Sequence, residues 1–246
     1  MLHIEIAAEK IFEVFGFPVT NTLRMAWVVV IFLCLASYLI YKKISLLPSL
    51  AQNLLEFTIE SVVGLMERTF SSREKAEKYL PIIATIFLLV LLSNWFGILP
   101  GIGSIGFHES KAGQAVFVPL FRSAASDLNF TLALAISAMV LVNIAGITAI
   151  GFGKHISKFF TLRNPIDAFV GILELISEIA KMISFAFRLF GNVFAGEVLL
   201  VITAFLVPYF VPVPFLVLEI FVGFVQALVF AMLTMVFISL AVTQHH

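Results

Sequence analysis

Long apolar runs alternate with short polar stretches along this chain, and five of the runs can cross a bilayer. They cover residues 25–41, 79–99, 128–152, 166–206 and 215–243. A spanning helix needs about 20 mostly apolar residues, because the hydrocarbon layer is about 30 Å thick and a helix rises 1.5 Å per residue. The fourth run is too long to stand upright, so it must tilt strongly, bend, or lie partly in the membrane plane. Between the first two spans, residues 45–70 follow a different pattern. Leu47, Leu50, Leu54, Phe57, Val62 and Leu65 recur with helical spacing, and Gln52, Asn53, Glu56, Glu60 and Glu67 fall between them. That pattern predicts an amphipathic helix lying at the interface, since its internal carboxylates argue against a sixth span.

Breakers fall where turns are needed. Pro100-Gly101-Ile102-Gly103 closes the second span, Asn164-Pro165 opens the fourth, and Pro208, Pro212 and Pro214 mark the turn between the last two. Residues 1–24 form an outer N-terminal segment. The expectation is one membrane domain over 1–246: an all-α integral membrane protein with five transmembrane helices and one interfacial helix. The last two long helices should form a tilted hairpin.

Composition agrees. Hydrophobic residues make up 61% of the chain and charged residues 12%, with a mean hydropathy of +1.09. A soluble domain is nearer half apolar and a quarter charged. The formal net charge is zero, which offers nothing to a nucleic acid. Cys34 is the single cysteine, so no internal disulfide can form. No Cys/His cluster with metal spacing, Gly-rich phosphate loop or G-x-S-x-G occurs, so neither cofactor nor metal is expected.

Glu5, Glu9 and Glu13 lie near the start without a basic flank, unlike a cleaved signal peptide or a transit peptide. That favours a bacterial plasma membrane. Basic residues set the orientation. Lys42, Lys43, Arg68, Arg73, Lys75, Lys78, Lys154, Lys158 and Arg163 gather on one face, against Lys10, Arg24, Lys111 and Arg122 on the other. The richer face should be cytoplasmic, with the N-terminus outside and Gln244-His245-His246 inside.

Ionisable groups inside a bilayer are costly and mark functional candidates. Here they concentrate in the last two spans: Glu174, Glu178, Lys181, Arg188 and Glu197 in the fourth, and Glu219 with Gln226 in the fifth. Glu174, Lys181 and Arg188 are successive sevens on one helical stripe, which Glu178 and Asn192 extend. Glu197 lies nine residues past Arg188, on the opposite side and about 13 Å further along. An arginine cannot give up its proton, whereas glutamates in a wet cavity can pass one on. A cation between two strings of carboxylates is therefore a barrier with a proton conductor on either side. Plainer roles stay open: Glu178 and Lys181 as a structural i,i+3 ion pair, Glu174 as an interfacial charge, Gln226 as a helix-packing hydrogen bond.

At these residues a family becomes recognisable. Phe187-Arg188-Leu189-Phe190-Gly191-Asn192, followed by Ala195-Gly196-Glu197, resembles the hallmark segment of subunit a of F-type ATP synthases. Ser93-Asn94-Trp95-Phe96-Gly97-Ile98-Leu99-Pro100 resembles that family's second-span ending, and Ser126-Asp127-Leu128-Asn129-Phe130-Thr131-Leu132 its third-span opening. Asn164-Pro165 with Glu174, then Gln226-Ala227 with Ile238-Ser239-Leu240, fit its last two helices.

The resemblance implies a proton-translocating stator subunit with two offset half-channels. Its partners would be the rotating ring of c subunits, the peripheral-stalk b subunits and the rest of the complex. Arg188 would face the ring carboxylate and separate the half-channels, with Asn192 beside it. Glu197, Glu219, Asn94 and Gln226 would line the outer path, and Glu174, Ser177 and Lys181 the inner one. One departure stands out. Many relatives pair a histidine with a glutamate at positions 197 and 219, where this chain has two glutamates, which would share a proton.

Two other classes fit the chain less well. A small secondary transporter with a buried arginine should show internal repeats and interrupted helices, and none are visible. An intramembrane hydrolase needs a nucleophile–base pair or metal ligands, yet His3, His108, His155, His245 and His246 all lie outside the spans.

Overall fold

The computed structural model describes residues 8–14, 16–44, 48–99, 101–111, 114–157, 165–208 and 210–243. Among the described residues seven α-helices carry the fold: α1 (Asn21–Lys43), α2 (Leu50–Phe70), α3 (Arg73–Ile98), α4 (Leu128–Ile150), α5 (Phe152–Ser157), α6 (Pro165–Leu206) and α7 (Pro212–Thr243). Among the described residues α1, α3, α4, α6 and α7 are long and apolar enough to span a membrane, matching the five expected spans. The chain is thus an all-α, multi-pass membrane protein.

Helix bounds follow caps rather than the ends of apolar runs. Thr20, Ser49, Ser72 and Asp127 each accept a hydrogen bond from a first-turn N–H, of Leu23, Gln52, Lys75 and Asn129 respectively. Such capping satisfies donors that the helix itself leaves unpaired. The Ser72 cap explains why α3 starts before its apolar stretch, taking in Glu74, Lys75, Glu77 and Lys78. Pro212 begins α7, where its missing N–H costs nothing. Helix α6 is one unbroken element of 42 residues, about 63 Å long at 1.5 Å per residue. A helix twice the hydrocarbon thickness fits only by tilting or by running along the layer.

Among the described residues two antiparallel hairpins add to this plan: β1 (Lys10–Val14) with β2 (Phe17–Thr20), and β3 (Gly106–Lys111) with β4 (Gln114–Pro119). The apolar runs gave no sign of them, since each is a short ribbon with little alternation.

Packing is centred on the α6–α7 hairpin and on α3 and α4. One cluster joins Val90 of α3, Ala135 and Ala138 of α4, Phe185, Ala186 and Leu189 of α6, and Ala227 and Phe230 of α7. The many alanines let helix backbones approach closely, which is how membrane helices gain van der Waals contact. A second cluster joins Met66 and Phe70 of α2 to Tyr79 and Ile83 of α3 and to Met235 and Ile238 of α7. Helix α1 is held along its first half, through Met25, Ala26 and Val29, with the Phe32 ring 5.3 Å from that of Phe96 in α3. Its later residues Ile31, Leu35 and Tyr41 are exposed, as lipid-facing side chains would be.

In α2 the expected apolar stripe and the packing face differ. Val63, Met66 and Phe70 are buried, whereas Leu50, Leu54, Phe57, Val62 and Leu65 are exposed; Leu47 lies outside the described residues. The helix has apolar groups along two edges, and spacing alone does not say which one meets protein. Arg73 at the start of α3 clasps α2, its Nη1 and Nη2 donating to Glu60 at 2.9 and 3.1 Å while Nε donates to Glu77 at 2.8 Å.

The bundle has two distinct ends. At the hairpin end, the stretch 120–127 is threaded among the helices, and Ala124, Ala125 and Ser126 are fully buried. Asp127 fixes it, accepting from Thr22 Oγ1 at 2.8 Å through one oxygen and from the Asn129 N–H at 2.9 Å through the other. Gly97 makes room, because a Cβ there would lie 2.3 Å from Ser123 Cβ. At the opposite end, Ser239 donates to the Thr69 carbonyl at 3.0 Å, and α5 folds back onto α4.

Candidate functional site: polar groups along the long hairpin

At the α5 end, a cavity of about 150 Å³ is lined by Glu174, Glu178 and Lys181 of α6, Asn143 of α4, His155 of α5, and Phe237, Leu240 and Ala241 of α7. The 3.6-residue repeat turns Glu174, Glu178 and Lys181 to one side of α6. Lys181 Nζ donates to Glu178 Oε1 at 3.0 Å and lies 5.1 Å from the centre of the Phe237 ring. The i,i+3 pair left open above is thus formed, and it lines the cavity as well. Ser177, on the same helix, is half-buried but is not among the lining residues.

His155 reaches this cavity from outside the spans, which is why hydropathy passed over it. It is only 6% exposed. Its Nε2 lies 2.9 Å from Asn143 Oδ1, while Asn143 Nδ2 donates to the Met139 carbonyl at 2.9 Å. Its ring lies against Gly146, where a Cβ would come within 2.7 Å of Cε1.

Midway along α6 stands Arg188, ten residues past Glu178 and nine before Glu197. It is exposed on the outside of the bundle, as are Ser184 and Asn192 one turn to either side. Its Nη2 donates to Ser184 Oγ at 3.4 Å, and Asn192 Nδ2 donates to the Arg188 carbonyl at 2.9 Å. Among the described residues no carboxylate forms an ion pair with Arg188. Arg188 and Gln226 share a narrow crevice with Phe185, Leu189 and Phe230. That brings the expected glutamine of α7 to the arginine of α6.

Towards the hairpin end a second polar group forms. Arg122, from the threaded stretch, donates through Nε to Glu197 Oε1 at 2.9 Å and Oε2 at 3.2 Å. The Arg122 side chain is 9% exposed and that of Glu197 34%. Glu219 of α7 is buried, and its carboxylate rests on Gly196, where a Cβ would lie 1.9 Å from Oε2. The two glutamates are therefore neighbours, as expected, but with a guanidinium on one of them. By sequence alone Arg122 is one more loop charge; its place five residues before Asp127 is the signal that sets it apart.

Asn94 completes this group. It is 1% exposed, its Nδ2 donates to the Gly223 carbonyl at 3.0 Å, and its Oδ1 is buried without a hydrogen-bond partner. One turn of α7 separates Gly223 from Glu219, so Asn94 stands between the carboxylate pair and the Arg188–Gln226 crevice. Trp95 Nε1 donates to the Ile220 carbonyl at 3.0 Å, locking α3 to α7 at the same level.

Chemically, then, α6 and α7 carry two polar groups at opposite ends with an exposed arginine between them. Comparison with known proteins gives the family of the chain. The ATP synthase A chain family matches over residues 23–239. A protein named ATP synthase subunit a from Moorella thermoacetica is 30% identical over 236 residues, covering 96% of this chain and 97% of its own. Its namesake from Campylobacter jejuni is 34% identical, covering 80% and 79%, and that from Campylobacter concisus 31% identical, covering 88% of both. With five spans, a charged long hairpin and near full-length similarity, this chain belongs to the family of ATP synthase subunit a.

Proposed function

We propose that the chain is the proton-conducting stator subunit of an F-type ATP synthase, in which Arg188 separates two half-channels that serve a rotating ring of c subunits. The observation that carries this reading is the exposed, mid-span Arg188 with a separate polar group on either side of it. A charge at that depth is costly without a counter-charge. Among the described residues this chain offers it none, so the partner comes from outside. A carboxylate on a neighbouring helix would fit. The surface around Arg188 carries the small residues Ala180, Ser184, Gly191 and Ala195, all exposed, and so admits a helix at close range.

The roles follow from the chemistry. A proton arriving from the hairpin side passes the Arg122–Glu197–Glu219 group, then Asn94 and Gln226, and neutralises the ring carboxylate. Neutral, that carboxyl can turn into lipid. On returning from the other side it gives its proton to the cavity of Glu174, Glu178 and Lys181, with Ser177 nearby. Ionised again, it is attracted to Arg188, whose guanidinium cannot pass a proton across and so blocks a direct leak. The chain itself carries out no ATP chemistry; it couples proton flow to a complex that does. On this reading the hairpin end and the N-terminus face outward and α5 faces the cytoplasm of a bacterial inner membrane, α2 lies at that inner interface, and the peripheral-stalk b subunits dock on the remaining surface.

ATP-driven acidification of inverted vesicles carrying Arg188→Ala in the assembled complex tests this. Pumping is expected to be abolished while the complex still assembles. Normal pumping by an intact complex would sink the arginine mechanism.

A further inference from the structure

We propose that Glu219 is the proton-carrying acid of the outer polar group, and that Arg122 and Glu197 are a fixed ion pair beside it that exchanges no protons. The proposal rests on the half-channel reading above and divides the roles within it.

The two carboxylates are adjacent but unequal. Both sit at one place on α6. Glu219 comes from α7 and rests on the bare α-carbon of Gly196, its carboxyl carbon 2.2 Å from where a Cβ would lie, and Glu197 is the next residue along. Glu197 has a cation of its own, Arg122 Nε, at 2.9 and 3.2 Å from its two oxygens. The same guanidinium lies 5.9 Å from the centre of the Phe194 ring, one turn back on that face of α6. Glu219 is 8% exposed, and among the described residues no cation forms an ion pair with it.

Charge balance then divides the work. One guanidinium and two carboxylates leave one negative charge over, and a buried charge without a partner is costly. A single proton makes the group neutral, and it belongs on the acid that lacks a cation. Asn94 points the same way. Its Nδ2 is committed to the Gly223 carbonyl, one turn of α7 from Glu219, and its Oδ1 is a buried acceptor without a hydrogen-bond partner. A carboxylate has no hydrogen to offer that oxygen, whereas a neutral carboxyl has one. A proton from water on the hairpin side therefore joins the Glu219 carboxylate, leaves past Asn94 for the ring carboxylate, and Glu219 is ionised again. Arg122 and Glu197 keep their charges throughout. The titratable groups at this place are Glu197 from α6 and Arg122 from the threaded stretch; α3 brings Asn94 and Trp95, which carry no charge.

The test is passive proton conduction through F1-stripped vesicles, driven from the hairpin side and expressed per assembled complex. Glu197→Gln frees the guanidinium to pair with Glu219, which then keeps its charge; conduction should fall about tenfold or more. Arg122→Gln leaves two carboxylates competing for one proton and should lower it as well. Glutamines keep amides for water along the route, so the double change Arg122→Gln with Glu197→Gln removes charge alone. It is expected to conduct about tenfold better than Glu197→Gln, while Glu219→Gln conducts nothing in any background. Lowering the pH on the hairpin side should also rescue Glu197→Gln by protonating Glu219, and this decides the matter if the double variant assembles poorly. A double variant no better than Glu197→Gln, or a Glu197→Gln loss that is the same at every pH, means that Glu197 passes protons itself and overturns the proposal, as does conduction by Glu219→Gln. Arg188→Ala measured alongside separates the two readings. If it pumps normally the half-channel reading fails; if it does not while the double variant shows no rescue, only the division between Glu197 and Glu219 is wrong.

Discussion

Arg122 and Glu197 meet across 75 positions of sequence, the Nε of one lying 2.9 and 3.2 Å from the two carboxylate oxygens of the other. The contact ties the threaded stretch at the hairpin end to the long helix α6. It also changes the electrostatics of the carboxylate pair. Two adjacent glutamates alone would compete for one proton; with a guanidinium on Glu197 the group has three members, and Glu219, set on Gly196, is the more deeply buried acid.

Arg122→Leu should therefore leave Glu197 without its ion pair. Breaking a fully buried pair costs about 3–5 kcal/mol. The cost here should be less, since the Glu197 side chain is 34% exposed. The expected result is a lower unfolding temperature of the purified complex together with weaker ATP-driven pumping. Adding Glu197→Leu should restore much of the stability but not the pumping. Equal unfolding temperatures for the parent and Arg122→Leu would show that the pair contributes nothing to the fold.

Gly196→Ala places a methyl group where the Glu219 carboxylate now sits, 1.9 Å from Oε2. Pumping should fall sharply while the complex still assembles, because the acid can swing away into the wetter part of the group. Glu219→Asp, one methylene shorter, should recover part of the activity in the Gly196→Ala background and reduce it in the parent. Additive losses in the double variant would refute the steric account.

Gly97→Ala brings a Cβ within 2.3 Å of Ser123 Cβ and 3.0 Å of its Cα. Overpacking of this kind costs about 1–3 kcal/mol. Retention of the subunit in the purified complex should drop, and Ser123→Gly should restore it by returning the space. An unchanged yield with Gly97→Ala alone would mean that the threaded stretch packs less tightly against α3.

Glu60 on α2 has its carboxyl held below the usual range by the Arg73 hydrogen bond and charge. A depressed folded pKa means the clasp stabilises above the unfolded value, about 4.3, and weakens as pH falls through the folded one. With the intrinsic pH dependence of amide exchange divided out, protection of α2 should fall below about pH 4 in the parent and stay constant there in Glu60→Gln. Because the pair is exposed, the effect at neutral pH should be small.

Much of this molecule is a matter of solvation, and solvation depends on composition along the chain. The cost of placing a backbone or a charge in hydrocarbon is local, so apolar runs alone gave five spans and singled out Arg188, Glu174, Glu178, Lys181, Glu197 and Glu219 as misplaced charges. Helical periodicity then put Glu174, Glu178 and Lys181 on one side, where they do share a cavity. It also turned Glu197 away from Arg188. What the residues 120–127 do depends instead on packing. Nothing local distinguishes Arg122 from a solvated loop charge, or His155 from an interfacial histidine, until Gly97 admits Ser123 and Gly146 admits the imidazole. Those contacts join segments far apart in sequence, and their energies come from shape and burial that no single stretch possesses. For that reason the spans and the suspect charges were legible in sequence. The i,i+3 pair of Glu178 and Lys181 was legible too, whereas the long-range partners of Glu197 and Glu219 were decided by tertiary structure.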